Sequence, residues 1–173
     1  MSATIVVSPL STLAEVGRRY QPSDMVTMMS NADPIERPPS VAPDRHLHLV
    51  FNDIAAPREG LTAPDLNDIN TLIAAARAWK GDAPLLLHCW FGVSRSTAAA
   101  IIALAALRPE RSEIEIARAL RAAAPFATPN SLMVALADER LGRNGRLSEA
   151  VAAIGRGAET SEGTPFTLAV EPQ

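Results

Sequence analysis

Cysteine and lysine each occur once in this 173-residue chain, as Cys89 and Lys80. A single cysteine excludes an internal disulfide framework and a CxxC metal knuckle. Lys80 stands alone among 16 basic residues, the rest being arginine. That bias, with the many alanines, reads as genome composition and predicts no function. The N-terminal Met1-Ser-Ala-Thr-Ile-Val-Val lacks the basic and long apolar regions of a secretory signal. No run approaches the ~18 uncharged apolar residues of a membrane span; the longest, Thr97 to Leu107, is too short. Neither sign of charge dominates, with 16 Lys+Arg against 19 Asp+Glu and a formal net charge of -3. The chain therefore has no broad footprint for nucleic acid or an anionic membrane, although a local basic pocket is compatible with this balance. Repeats and low-complexity blocks are missing too. The expected setting is reducing and cytoplasmic.

What is present suits one domain. The chain is 47% hydrophobic, and a chain of this size buries roughly 70% of its unfolded surface. Thr4 to Val7 reads as a strand, followed by a helix with Ser8 as N-cap and Pro9 at its first position. Met25 to Met29 and Arg45 to Phe51 read as further strands, separated by a proline-bearing loop from Ser30 to Asp44. Thr62-Ala-Pro-Asp65 opens a helix whose apolar face carries Leu66, Ile69, Ile73 and Ala76. Leu85-Leu86-Leu87 suits a central strand covered on both faces, and the stretch from Ser96 to Leu107, apolar all round, a buried helix. Ser112-Glu-Ile-Glu115 is a capping box for the next helix. Helices beginning at Thr128-Pro129 and Leu147 complete a helical C-terminal portion. The alternation predicts an α/β fold with a mostly parallel central sheet flanked by helices. The domain is expected over residues 1–155, with a loosely ordered tail over 156–173.

The informative stretch is His88-Cys89-Trp90-Phe91-Gly92-Val93-Ser94-Arg95-Ser96. Cys89 falls where a buried strand ends and a buried helix begins. Gly92, mid-turn, supplies the dihedral freedom a tight cradle needs. Successive backbone N–H groups of Trp90, Phe91, Gly92, Val93 and Ser94, together with the helix N-terminus, make an anion-binding nest. Arg95 at the first helical turn can grip two phosphate oxygens at once. The same positive field favours thiolate at Cys89. A bare Cys-x5-Arg arises by chance about once in ten such cysteines at this arginine content; the preceding His88, Gly92 and Ser96 make the signature specific.

This segment resembles the H-C-x-x-G-x-x-R-S/T signature of the protein tyrosine phosphatase superfamily, and the chain's small size resembles its dual-specificity-type branch. Pro129-Asn130 is similar to the Pro-Asn that opens a late helix in these enzymes. The resemblance implies that Cys89 is a nucleophile forming a phosphocysteine intermediate. Arg95 then binds the phosphoryl group, Ser96 stabilises the departing thiolate, and His88 buttresses the loop. It also implies a general acid on a loop some thirty to forty residues upstream. Asp53 fits, because it follows a predicted strand whose carboxyl end is where α/β sites form. Asp65 and Asp68 lie on the intervening helix, and Asp44 precedes the strand. No metal or cofactor is implied, and the expected partner is a phosphorylated protein or a small phosphomonoester.

Plainer readings stand beside these. A lone cysteine is most often a small buried hydrophobe. Ser96 can be an ordinary helix-start residue, Asp53 a turn aspartate, and Trp90 or Phe91 core filler rather than a stacking surface. His46 and His48 share one side of a strand with no third metal ligand in view. Two other functions use the same cup: a lipid or small-molecule monophosphatase, and a phosphotyrosine-binding module without turnover. Phosphoinositide phosphatases of the superfamily resemble C-K-x-G-K-x-R; Trp90 and Val93 stand in the lysine places here, which disfavours polyanionic substrates.

Overall fold

The computed structural model describes Ser2–Glu171. Runs of apolar and β-branched residues form five strands: β1 (Thr4–Pro9), β2 (Asp24–Met29), β3 (His46–Val50), β4 (Leu85–Cys89) and β5 (Phe166–Ala169). They make one sheet in the order β3-β2-β4-β1-β5, with β5 antiparallel to β1 and every other pairing parallel. Six α-helices accompany it among the described residues: α1 (Leu13–Tyr20), α2 (Leu66–Ala78), α3 (Arg95–Leu107), α4 (Glu113–Ala123), α5 (Ser131–Arg140) and α6 (Arg146–Ala153). The α/β architecture expected from the alternating pattern is the one observed.

Side chains alternate across a strand, so a sheet covered on both faces needs apolar residues in succession. Leu85 and Leu87 of β4 join the large core beneath α2 to α6, while Leu86 joins a second cluster with Leu13, Val16 and Val41. Thus α1 and the 30–45 loop cover one face, and the other helices cover the opposite one. Helix α3 is buried along almost its whole length, Arg95 through Ala106. Its alanines let neighbouring helices approach closely, which accounts for its lack of a polar face.

Several boundaries differ from the sequence reading. Ser8 and Pro9 belong to β1, and Pro9 is extended at φ -73°, ψ 166°. A single 3-10 turn, Leu10–Thr12, then leads into α1. Register with β4 holds the two residues in the sheet, Ser8 opposite His88 and Pro9 opposite Cys89. Asp65 caps α2, in a reciprocal capping box with Asp68. Ser112 and Glu115 form the box expected for α4. Helix α5 begins after Asn130, whose side chain caps it.

The largest difference is at the C-terminal end, where a loose tail was expected from residue 156. Phe166 to Ala169 instead pair with Val7 to Thr4, burying Phe166 and Leu168. The segment before β5 is bonded to the body as well, Ala158 N–H donating to Pro125 O at 2.9 Å. Alternation of buried Phe166 and Leu168 with exposed Thr167 and half-buried Ala169 is the edge-strand pattern. Pro172 and Gln173, also assigned to the tail, lie outside the described residues. Among the described residues, no helix is long and apolar enough to cross a membrane.

Candidate active site

The parallel strands all end on one side of the sheet, and the loops that leave them meet there. Cys89 is the last residue of β4 and Arg95 the first of α3, so five residues turn the chain from sheet into helix. Gly92 makes the turn possible. Its φ is +69°, and a Cβ there would stand 2.8 Å from the nitrogen of Pro9 at the end of β1. Only glycine satisfies both demands.

The loop's carbonyls are tied outward. Trp90 O accepts from Leu10 N–H at 3.0 Å, Phe91 O from Gly163 N–H at 2.8 Å, Val93 O from Thr128 N–H at 3.0 Å and Ser94 O from Asn130 N–H at 3.2 Å. In a trans peptide the N–H points opposite the carbonyl of the same plane. The amides of Phe91, Gly92, Ser94 and Arg95 therefore face the inner side of the loop. Gly92 N–H comes within hydrogen-bond range of Cys89 Sγ, at 3.3 Å. Ser96 Oγ lies 3.2 Å from the same sulfur. Cys89 is buried apart from its access to a cavity of about 220 Å³, which Phe91, Val93, Ser94 and Arg95 also line.

Arg95 is only 6% exposed and is held at one nitrogen. Its Nη1 donates to Ser30 Oγ at 3.1 Å and to Phe51 O at 3.0 Å, both just beyond the ends of neighbouring strands. Its Nε is buried without a partner. A buried guanidinium with an unmet donor beside a cup of inward amides has the chemistry to hold an oxyanion.

Asp53 lines this cavity too. Its Oδ1 accepts from Ser94 Oγ and from Asn130 Nδ2, each at 2.8 Å, and its other oxygen takes no part in either bond. Asn130 Nδ2 also donates to Ile54 O at 3.1 Å while its Oδ1 caps α5. One side chain thus fastens the aspartate loop to a helix start.

His88 is fully buried behind Cys89, its Nε2 2.7 Å from Thr27 Oγ1. Burial pushes its pKa down to about 4; the nearby His46, His48 and Arg95 push the same way, and a backbone hydrogen bond at Cys89 opposes them. The imidazole is therefore neutral at physiological pH. Thr27 Oγ1 also lies 2.7 Å from His46 Nε2, and the rings of His46 and His48 stack with centroids 6.2 Å apart.

The structure thus brings together Cys89, Phe91, Gly92, Val93, Ser94, Arg95, Ser96 and Asp53, with His88 directly beneath. Trp90 is the exception: it is 48% exposed and lines no part of the cavity. It meets Phe91 edge to face at 6.3 Å. Sequence reasoning missed Ser30 and the Phe51 carbonyl. The sheet order β3-β2-β4 accounts for both, since residues following adjacent parallel strands share one rim. It noted Asn130 only as a helix opener, and it overlooked Thr160 and Ser161, which line the cavity from the segment before β5.

No protein-family model matches the chain, and no curated protein matches it by sequence. Solved structures do match its fold. The Cydia pomonella PTP-2 phosphatase superposes with a TM-score of 0.61 at 18% identity, over 77% of this chain and 83% of that one. Human DUSP28 gives 0.59 at 20% identity, over 80% and 88%. DUSP15 gives 0.61 at 15% identity, over 89% and 92%. The fold is that of the dual-specificity protein tyrosine phosphatases. Within that fold the 88–96 segment is the strand-to-helix turn at the carboxyl edge of the parallel strands, the place where ligands bind in open α/β sheets.

Proposed function

We propose that this chain is a cysteine-dependent phosphatase that hydrolyses phosphotyrosine and related phosphomonoesters at Cys89. The observation that carries the reading is the cup itself: one sulfur beneath four inward amides, with Arg95 to one side. A phosphoryl group has three non-bridging oxygens for these donors. Arg95 and the amides supply the charge stabilisation, preorganised and half-desolvated.

In the first step the Cys89 thiolate attacks phosphorus. The S–P bond forms as the P–O ester bond breaks, and Asp53 gives its proton to the departing oxygen so that it leaves as a phenol or alcohol. In the second step water attacks the phosphocysteine. Its proton passes to Asp53, the O–P bond forms, the S–P bond breaks and Cys89 leaves as thiolate. Ser96 Oγ and Gly92 N–H, each within reach of Sγ, steady the sulfur in both steps. His88 is neutral and holds the loop from below. A reducing, cytoplasmic compartment suits a thiol nucleophile.

The test is release of p-nitrophenol from p-nitrophenyl phosphate in EDTA, from about pH 4.5 to about pH 8, which brackets the acid and base limbs of such a profile. Cys89→Ser is expected to abolish turnover. Asp53→Ala is expected to lower kcat by about 10²-fold or more and to alter the dependence on pH. Activity surviving in Cys89→Ser would assign the wrong nucleophile. Loss of activity in EDTA would overturn the charge stabilisation assigned to Arg95 and the amides. An inert protein that binds phosphotyrosine peptides would be a binding module instead.

A further inference from the structure

The cup is not walled by the phosphate loop alone. Its cavity opens into a larger one of about 670 Å³, and the two share Asp53, Val93, Ser94, Thr160 and Ser161. The far wall of the larger chamber is the chain from Arg156 to Ser161. That wall is built in rather than draped over the surface. Gly157 N–H donates to Thr128 Oγ1 at 3.2 Å, and Arg121 Nη2 donates to Gly155 O at 2.7 Å. Gly163 N–H holds the phosphate loop itself through Phe91 O. A Cβ at Gly157 would fall 2.3 Å from Phe126 O, and one at Gly163 would fall 2.6 Å from the Phe126 ring. Chain this closely fitted is a fixed surface.

Its position decides what it touches. The acid must reach the leaving oxygen, so the leaving group departs past Asp53, and the chamber begins at Asp53. Whatever carries the phosphate therefore lies against residues 156–161. The chamber is much larger than a single aromatic ring, and it is an open trench rather than an enclosed pocket. Sites for small molecules bury most of their ligand; an open trench suits a chain that runs on beyond it. Arg156 is exposed on this wall and is in no ion pair among the described residues. The other charged groups lining the chamber are Glu159 and Asp53, and neither pairs with Arg156 among the described residues. The cation is thus open to a ligand.

We propose that the 156–161 segment recognises the polypeptide flanking the phosphorylated residue, and that Arg156 selects an acidic side chain beside it. The proposal rests on the phosphatase reading of Cys89. Two phosphotyrosine peptides, identical except for acidic or basic flanks, test it. The ratio of their kcat/KM values is compared in the wild type, Arg156→Ala and Arg156→Glu. The wild type is expected to favour the acidic peptide, Arg156→Ala to reduce that ratio about threefold to fivefold, and Arg156→Glu to invert it. The preference should weaken as salt is raised. A ratio that does not move in either variant overturns the proposal while leaving the phosphatase reading standing. The affinities of the two peptides for the Cys89→Ser protein, measured by calorimetry, separate the two ideas further. If the wild type is inert but Arg156→Ala still removes an acidic preference in binding, the wall is upheld and the enzyme is not. Equal affinity for both peptides sinks the wall whatever the turnover.

Discussion

At the scale of single residues, Ser96 sits 3.2 Å from the Cys89 sulfur, where, on the proposed mechanism, its hydroxyl matters most when the thiolate departs. Replacing it by alanine should slow breakdown of the phosphocysteine by about tenfold to a hundredfold, the worth of a hydrogen bond to a charged group. Rapid-quench kinetics would then show a burst of p-nitrophenol followed by a slow steady rate. A loss of the burst itself would assign Ser96 to the first step or to folding. Asn130 offers a cleaner separation of roles, because it both caps α5 and donates to Asp53. Aspartate is as good a cap as asparagine but has no N–H to offer. Asn130→Asp is therefore expected to keep the thermal midpoint within about 2 °C while lowering kcat about tenfold. A variant with wild-type kcat would mean that Asp53 needs no such anchor.

At the scale of elements, α6 starts at a residue with little capping power of its own, Gly145 at φ +84°. Asp138, from the end of α5 and only 4% exposed, supplies the cap across the turn. Its carboxylate accepts from Gly145 N–H and Leu147 N–H, both at 2.6 Å, and from Ser148 N–H at 3.1 Å. Asp138→Ala strands those buried donors and should cost about 2 kcal/mol, seen as a midpoint lower by ~6 °C. Asp138→Asn should recover part of it. This bond spans seven to ten residues, and that distance marks where legibility in the sequence stops. The capping box of Ser112 and Glu115 could be read because all its parts lie within one turn. The same holds for the 88–96 turn, whose cysteine, glycine, arginine and serine fall within eight consecutive residues. Asp53 came into view through the family resemblance, which implies an acid on a loop upstream of the cysteine. Ser30, Phe51 and Thr160 did not, because they come to the site only through sheet order and tertiary packing. Strand β5 was illegible for another reason. Four residues of alternation between Pro165 and Glu171 look like any polar, proline-flanked end until a partner strand is known.

For the molecule as a whole, the buried histidine contributes to the response to acid. Burial holds the His88 imidazole down at about 4, against an ordinary 6.5, so between those values the unfolded chain binds the extra proton and the native chain does not. Stability is therefore full above about pH 6.5 and falls as pH drops toward about 4, by as much as ~3 kcal/mol. His46, also shifted down by burial and by His48 and Arg37, adds a slope of the same sign. Urea unfolding across this window should show the decline, and His88→Asn should flatten it; an unaltered slope would place the acid sensitivity elsewhere.

The antiparallel pairing of β5 with β1 has a consequence in time rather than in space. Residues 155–169 leave the ribosome after Cys89, Arg95 and Asp53, so the proposed chemistry is encoded first and the wall beside it last. On that reading, a nascent chain short of this segment would carry the cup without the wall proposed to select its substrate. Val170 N–H reaches Ala3 O at 2.9 Å, so the first and last strands of the sheet lie side by side and a permutant joined there is within reach. Synthesised from residue 155 onward through that join, the same molecule would receive its selectivity before its reactivity.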